Sequence, residues 1–347
     1  MLSVVTGVRR CITSPLRRSP LARTAITSCR YTLGAGAGAK SLSPTGGPLW
    51  LTRSVVTESV LSSSLLRNWH LEGAQVTVHN GGMGSQTWFV DLAGRRWVAK
   101  AVAPRDGVPF AGGMTIAQRL DQVGIPAGAP VPAIDGRLVV RAGDDWLALL
   151  TWVPGHELAG EDSAEQELIG ATLAKVHQAL ADFTVAKANR FHWVDPAAEY
   201  LSLRPWLRPA ITSALRDLDD ARPDGMAWGL LHADPAPGAF RFDPSTGRCG
   251  IIDWSYALYG PLLYDLASAV MYAGGPDRAQ HLIRAYLDQG VLEAAEVQRG
   301  LAPMLRFRWA VQANYFAWRI AENNLTGIAG PEENEKGLED ARQSLTT

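Results

Sequence analysis

Two carboxylates in the stretch 231–267 follow short apolar runs and could act together in one chemical step. Asp234 comes shortly after the apolar run that ends at Leu231, and Asp253 comes directly after Ile251-Ile252. A hairpin with its turn at 244–247 separates them, so both side chains are expected at one end of that hairpin. One carboxylate can orient and deprotonate a hydroxyl while the other holds the magnesium ion of a nucleotide, as phosphoryl transfer requires. The alternative, that both aspartates only cap turns, stays open.

A glycine-rich stretch and a lysine earlier in the chain could bind phosphate. Gly81-Gly82-Met83-Gly84-Ser85 lies between two alternating patterns, and glycine lets backbone amides approach phosphate oxygens. Lys100 follows 15 to 19 residues later, in the run WVAKAV, from where its ammonium group could reach the same phosphates. Taken singly, the stretch is an ordinary turn and the lysine an edge residue with a snorkelling side chain. Together they favour a nucleotide site formed by Gly82, Gly84, Ser85 and Lys100.

The elements that would position these residues change in character near Pro154-Gly155. Alternation of apolar and polar residues from Ala74 to Val102 predicts strands joined by turns, and a helix is expected from Thr115 to Val123. Long helical patterns dominate the remainder. We therefore predict an α+β fold with two lobes: a small antiparallel-sheet lobe at 63–153, which contains the candidate nucleotide site, and a helical lobe at 154–347, which contains Asp234 and Asp253.

Length and composition exclude several classes of protein. The chain has 347 residues, of which 47% are apolar, enough for two well-filled lobes. Nothing approaches 18 uninterrupted apolar residues, so we expect no membrane association. Cys11, Cys29 and Cys249 are too few and too scattered for a disulfide framework or a zinc site, which favours a reducing compartment.

Charge is unevenly distributed along the chain. Eight basic residues and no acidic one precede Glu58, which leaves 25 basic and 34 acidic residues, a formal charge of −9, for the rest. An acidic body argues against nucleic-acid binding, which uses a basic surface. We expect the basic, Ser/Thr-rich extension, residues 1–62, to be disordered.

The origin of this extension has three explanations. Its composition matches an organellar transit peptide, but also a disordered tail or translation from a start upstream of the true one. The chain has 28 Arg against 5 Lys, a preference that GC-rich bacterial codons produce. We therefore predict a bacterial, cytoplasmic protein, with organellar import as the alternative.

The motifs taken together resemble those of the aminoglycoside phosphotransferase family, which shares a protein-kinase-like fold with choline and homoserine kinases of that type. The family pattern is H-G-D-x-x-x-x-N, then I-D-W/F, then G-D-P-x-x-D-L-A; this sequence has HADPAPGA, IIDW and GPLLYDLA. TWVPGHEL resembles the family's inter-lobe segment, and LIGATLAKVHQ resembles its first large-lobe helix. The resemblance covers residues 75–290 and implies a two-lobed, protein-kinase-like fold.

The resemblance also implies roles for individual residues. Asp234 matches the catalytic base, Asp253 the magnesium-binding aspartate, and Lys100 the lysine that holds the α- and β-phosphates. His232 is expected to be a structural member of the loop. Asp265 is expected to brace that loop by accepting backbone hydrogen bonds at a helix start.

Two departures from the family pattern bear on turnover. Ala239 stands where the family has a metal-binding asparagine, so we expect one magnesium ion rather than two, because water can replace a neutral ligand. Gly112 or Gly113 stands where the family usually has a glutamate that pairs with the lysine, and Asp106 is the nearest acidic substitute.

The sequence thus predicts a small-molecule kinase with an alcohol acceptor and with ATP or GTP and Mg²⁺ as cofactors. The alternative, which both departures motivate, is a kinase-like binding protein that holds nucleotide or a small ligand without turnover. A hydrolase that uses Asp234 and His232 is a third hypothesis, although the chain has no G-x-S-x-G motif. Neither the acceptor, aminoglycoside-like or metabolite, nor the oligomeric state follows from the sequence.

Overall fold

The computed structural model describes residues 56–79, 83–185, 189–191 and 194–346, which form two lobes. The small lobe is an antiparallel sheet of five strands in the order β1-β2-β3-β5-β4. Its strands are β1 (Gln75–His79), β2 (Gln86–Leu92), β3 (Arg95–Val102), β4 (Val140–Ala142) and β5 (Asp145–Thr151). Two helices pack on this sheet: α1 (Glu58–Trp69) and α2 (Gly107–Gln122).

Helices dominate the large lobe, as the patterns beyond Gly155 predict. They are α3 (Ser163–Ala179), α4 (Leu207–Asp220), α5 (Leu263–Tyr272), α6 (Gln280–Leu287), α7 (Ala294–Ala321) and α8 (Pro331–Thr346). Two small sheets accompany them, in the orders β10-β9-β6 and β7-β11-β8. Their strands are β6 (His156–Glu157), β7 (Asn189–Arg190), β8 (Trp228–Leu231), β9 (Phe240–Asp243), β10 (Arg248–Ile251) and β11 (Leu258–Pro261). Within the described ranges, no helix combines the length and apolarity needed to cross a membrane.

The alternation of side chains along β3 gives the small-lobe sheet two different faces. Trp97 and Ala99 are buried on one face, where they pack with Leu61 and Leu65 of α1. Lys100 lies between such positions and therefore points to the opposite face, which α2 covers. Full burial of a leucine side chain contributes about 1.5–3 kcal/mol, so Leu61 and Leu65 anchor α1 on its face of the sheet.

α1 begins earlier than the sequence predicts, at Glu58 instead of Ser63. Thr57 caps the helix, because its Oγ1 accepts a hydrogen bond from the amide of Val60 at 3.4 Å. Leu61, in the predicted extension, is fully buried, so 58–62 belong to the fold. Residues 1–55 lie outside the described residues, and the expectations about that segment stay predictions.

α2 also begins earlier than expected, at Gly107 instead of Thr115. Pro109 interrupts the sequence pattern, but it lies in the first turn, where the helix needs no backbone N–H donor. Phe110 and Met114 are buried in the small lobe. Their burial outweighs the low helix propensity of the glycines, which is a tertiary effect.

A glycine of α2 allows this helix to touch the segment that follows Asp253. Gly113 lies directly against the carbonyl oxygen of Trp254, and a Cβ atom at this position would overlap that oxygen. Its neighbour Gly112 is less confined, since a Cβ atom there would meet only the side chain of Val185, at 3.3 Å. This contact between the backbones of Gly113 and Trp254 holds α2 against the large lobe.

Replacing Gly113 with alanine is expected to destabilise the fold by about 1–3 kcal/mol, the usual cost of adding a group to a close-packed contact. The clashing atom belongs to the backbone of Trp254, which cannot rotate away. Thermal and urea unfolding followed by circular dichroism measures the change. Gly112→Ala is the control; it should cost less or even stabilise, because alanine favours helix by up to about 1 kcal/mol. Equal melting temperatures for the two variants would contradict the prediction.

Candidate active site

One histidine joins the two segments that carry the predicted catalytic carboxylates. Asp234 follows β8 and Asp253 follows β10. His232 Nε2 lies 2.8 Å from the carbonyl oxygen of Ile252, and His232 Nδ1 lies 3.4 Å from the amide nitrogen of Asp234. Nδ1 therefore accepts a hydrogen bond, and Nε2 carries the proton that it donates to the carbonyl. Both ring nitrogens are used to hold the two segments together.

The carboxylate of Asp265 holds the loop that carries Asp234 through hydrogen bonds to its backbone. Asp265 is fully buried in the first turn of α5 and accepts hydrogen bonds from the amides of His232 and Ala233 at 2.7 and 2.8 Å. His177 Nε2 lies 3.0 Å from the same carboxylate, and His177 Nδ1 lies 2.7 Å from the hydroxyl of Tyr286. A buried charge is tolerated where hydrogen bonds replace its water, and these donors do so. The contacts fix the loop backbone.

Two non-glycine residues of the site have left-handed backbone conformations. Ala233 has a φ of 74° and Asp253 a φ of 72°. Such a conformation costs on the order of 1–3 kcal/mol and persists only where the surroundings impose it. At Ala233 the imposing contact is the hydrogen bond from its amide to Asp265. The family pattern H-G-D has glycine at this position, whereas this chain has Ala233. The replacement was therefore a sign in the sequence that the backbone is strained here.

Lys100 of the small lobe and Asp253 of the large lobe form an ion pair across the cleft. The pair joins Lys100 Nζ to Asp253 Oδ1; the lysine side chain is 8% exposed and the aspartate side chain 45%. Desolvation raises the pKa of Asp253, but the charge and hydrogen bond of Lys100 outweigh it and lower the pKa to about 2. Asp253 is therefore ionised at neutral pH. The structure thus brings together the two residues predicted to hold phosphate and metal.

The oxygen donors at Asp253 suit a single magnesium ion bound together with phosphates. Magnesium keeps several waters and is usually held by one or two carboxylates plus substrate phosphates. Ala239 supplies no side-chain oxygen, and its carbonyl accepts a hydrogen bond from Ile252 at 2.9 Å. In the described part of the chain, no group of three or more His, Cys, Asp or Glu side chains could hold a metal. Asp253 would supply the carboxylate, and phosphates and water the remaining ligands.

The predicted phosphate-binding turn is described in part. Gly82 lies outside the described residues, so its phosphate contact stays a prediction. Ser85 is buried, with Oγ 3.5 Å from Thr87 Oγ1. Thr87 pairs with Lys100 in the register of β2 and β3, so the end of the turn lies one strand away from the lysine.

The glycine turn also touches the large lobe at two points. The carbonyl oxygen of Met83 accepts a hydrogen bond from Arg319 Nη1 at 2.9 Å, and Arg319 is fully buried on α7. Gly84 lies against the hydroxyl of Tyr256 and has no room for a Cβ atom. Burial raises the pKa of Tyr256, so its hydroxyl is protonated. These contacts place the turn over the segment that follows Asp253.

Asp234 contacts two residues that the sequence analysis did not identify as part of the site. Its Oδ1 accepts hydrogen bonds from the hydroxyl of Tyr272 at 2.6 Å and from Arg308 Nη2 at 2.9 Å. Burial raises the pKa of Tyr272, and the charge of Asp234 raises it further, so the hydroxyl is protonated and donates. The sequence did contain a signal for Arg308. Tyr315 and Arg319 follow it by 7 and 11 residues, and these spacings place all three on one face of α7.

Known proteins resemble this chain in sequence. A model of the phosphotransferase enzyme family matches residues 75–300. A homoserine kinase of Xanthobacter autotrophicus is 29% identical over 171 residues, which are 47% of this chain and 52% of that protein. The chain thus spans about half the length of this relative. The family match confirms the resemblance seen in the motifs.

Solved structures confirm the predicted fold class, a two-lobed kinase-like α+β architecture. An amicoumacin kinase in complex with AMP-PNP and Ca²⁺ has a TM-score of 0.65 at 17% identity, over 83% of this chain and 92% of that one. A microcompartment-associated aminopropanol kinase has a TM-score of 0.63 at 18% identity, over 83% of this chain and 95% of that one.

Ala233→Gly is expected to raise the free energy of unfolding by about 1 kcal/mol, because glycine adopts positive φ without the penalty that alanine has. The measurement is the melting temperature, which should rise by about 2 °C. Ala236→Gly in the same loop is the control. Ala236 has a φ of −66°, so glycine should lower stability there by about 0.4–1 kcal/mol. A melting temperature of Ala233→Gly at or below that of the wild type would refute the strain argument.

Proposed function

Because this chain belongs to the phosphotransferase enzyme family, we propose that it is a small-molecule kinase that transfers the γ-phosphoryl group of ATP or GTP to a hydroxyl group. The observation that carries the proposal is the ion pair between Lys100 and Asp253 across the cleft. In phosphoryl transfer a lysine holds the nucleotide phosphates and an aspartate holds their metal ion. A single contact brings these two groups together beside the loop that carries Asp234.

Each site residue has one task in this proposal. Asp234 orients the acceptor hydroxyl and takes its proton, and Lys100 binds the α- and β-phosphates. Gly82, Gly84 and Ser85 bring the glycine turn close to the same phosphates. Magnesium, when bound at Asp253, supplies neutralisation of the charge on the transferred group. Most of the catalysis therefore comes from positioning and from charge neutralisation.

We further propose that the acceptor is a small amino alcohol rather than a polycationic aminoglycoside. An acidic cleft would attract a polycation, but the two site carboxylates are already paired with buried cations: Asp253 with Lys100 and Asp234 with Arg308. Charge attraction for a polycation is correspondingly weak. The sequence relative supports a small acceptor, since its name is homoserine kinase.

The alternative is a kinase-like binding protein without turnover. Ala239 and the glycine pair at 112–113 motivate it, since both replace residues of the family pattern. The relatives and structures compared above are kinases by name, so nothing among them favours this alternative. The two hypotheses differ in whether nucleotide binding leads to transfer.

Nucleotide binding is expected to depend on magnesium and on Asp253. At about 100 times its dissociation constant, ATP or GTP should stabilise the wild type by about 2.7 kcal/mol in thermal-shift or calorimetric titrations. Asp253→Ala should lose this effect, because a unit charge pair at about 4 Å contributes roughly 4 kcal/mol at an effective dielectric of about 20. Asp243→Ala, at the other end of the same hairpin, is the control and should retain binding. Magnesium-independent binding, or binding by Asp253→Ala, would contradict the metal assignment.

Transfer is expected to depend on Asp234 while nucleotide binding does not. Asp234→Asn should lower kcat about 10²–10⁴-fold, the usual contribution of a positioned base, with nucleotide affinity unchanged. Coupled-enzyme detection of ADP measures transfer to L-homoserine and 1-aminopropan-2-ol. Full activity of Asp234→Asn on a verified acceptor would overturn the proposed mechanism. Nucleotide binding without any transfer by the wild type would favour the binding-protein alternative.

A further inference from the structure

The carboxylate of Asp234 is held by the protein on one oxygen only. Oδ1 accepts hydrogen bonds from Tyr272 Oη at 2.6 Å and from Arg308 Nη2 at 2.9 Å. None of the described residues donates a hydrogen bond to Oδ2. The Asp234 side chain is 46% exposed, whereas that of Arg308 is 8% exposed. One oxygen is thus held by the buried Arg308 and by Tyr272, and the other is left for a ligand.

The two donors are themselves fixed. Arg308 Nε donates to the buried Ser268 Oγ at 2.9 Å, and Arg308 Nη2 also lies 3.1 Å from Tyr272 Oη. Tyr272 ends α5 and Arg308 lies within α7, so two packed helices hold the donors. Rotation of the Asp234 carboxylate would break both hydrogen bonds at once.

We propose that Arg308 and Tyr272 are positioning residues that orient Asp234 so that its Oδ2 receives the acceptor hydroxyl. This inference rests on the proposed kinase function. In the step, the acceptor oxygen bonds to the γ-phosphorus, the bond from that phosphorus to the β–γ bridging oxygen breaks, and the nucleoside diphosphate leaves. The acceptor proton passes to Oδ2 of Asp234.

The charge of Arg308 is consistent with an orienting role for Asp234. Arg308 holds Oδ1 of Asp234 through a charge-assisted hydrogen bond of 2.9 Å, which is stronger than a hydrogen bond between neutral groups. Phosphoryl transfer proceeds through a loose transition state in which the attacking oxygen is only weakly bonded, so orientation matters more than early proton removal.

Tyr272→Phe tests the inference with the loss of a single hydroxyl. It should lower kcat about 10- to 100-fold, the effect of losing one hydrogen bond to a charged group, and leave the nucleotide KM within about twofold. Mg·ATP with L-homoserine or 1-aminopropan-2-ol is the assay, and transfer to water is followed in parallel. Tyr259→Phe is the matched control, because Tyr259 is equally exposed, at 38%, and its ring packs beside Trp228 on β8 and not on Asp234.

Arg308 is tested by graded replacement and by a double-mutant cycle. Arg308→Met should lower kcat at least as much as Tyr272→Phe, and Arg308→Lys should recover part of the loss because it keeps the charge. If both residues act through Asp234, neither Tyr272→Phe nor Arg308→Met should lower kcat further in an Asp234→Asn background. Melting temperatures show whether Arg308→Met folds; Tyr272→Phe remains informative if it does not.

The outcomes separate this inference from the function on which it rests. Wild-type kcat for Tyr272→Phe, together with loss of transfer in Asp234→Asn, would overturn the inference and leave the kinase proposal intact. Additive losses in the Asp234→Asn background would overturn it as well, since they indicate a role independent of that carboxylate. Transfer that is independent of Asp234, or absent in the wild type, would overturn the kinase proposal itself.

Discussion

A fully buried carboxylate, Asp265, meets the backbone amides of His232 and Ala233 and the ring of His177. Burying a charge is costly unless hydrogen bonds replace its water, so the loop must present its amides to this side chain. That requirement holds Ala233 in a conformation that alanine otherwise avoids. The direction in which the chain leaves the loop, and hence the position of Asp234, depends on it.

The charges of the cleft are balanced by cations from two different parts of the fold. Lys100 reaches Asp253 from the small-lobe sheet, and Arg308 reaches Asp234 from α7. Both cations are largely buried, whereas both carboxylates are about half exposed. The buried partners are therefore held by packing, and the exposed oxygens remain available to ligands. This division is the physical basis for assigning the chemistry to the carboxylates, phosphate binding to Lys100 and positioning to Arg308.

Local patterns made much of the site predictable from the sequence. Asp234 and Asp253 lie at the ends of β8 and β10, and Lys100 lies on β3, where alternation and hairpin spacing place them. The fold class and the family followed from the same motifs, and the comparisons confirm both. The functional roles of these residues stay predictions.

What the sequence did not show depends on contacts between distant elements. Tyr272 and Arg308 meet Asp234 only because α5 and α7 cross beside the loop, and no local pattern encodes that crossing. The early start of α2 has the same cause, since burial of Phe110 and Met114 overrides a sequence that disfavours helix. The start of α1 is different: threonine is a preferred capping residue, so Thr57 is a local sequence signal for a helix that begins at Glu58.

The contact between Gly113 and Trp254 also constrains how this chain can evolve. Once a helix backbone rests on a neighbouring carbonyl, any side chain at that position collides with it before it can contribute chemistry. A single codon change that introduced an acidic residue at 113 would therefore be opposed by loss of stability, whatever it added to the site. A lysine–glutamate pair through this position would require α2 to move first. Gly113 thus links the pairing of Lys100 with Asp253 to the packing of the two lobes.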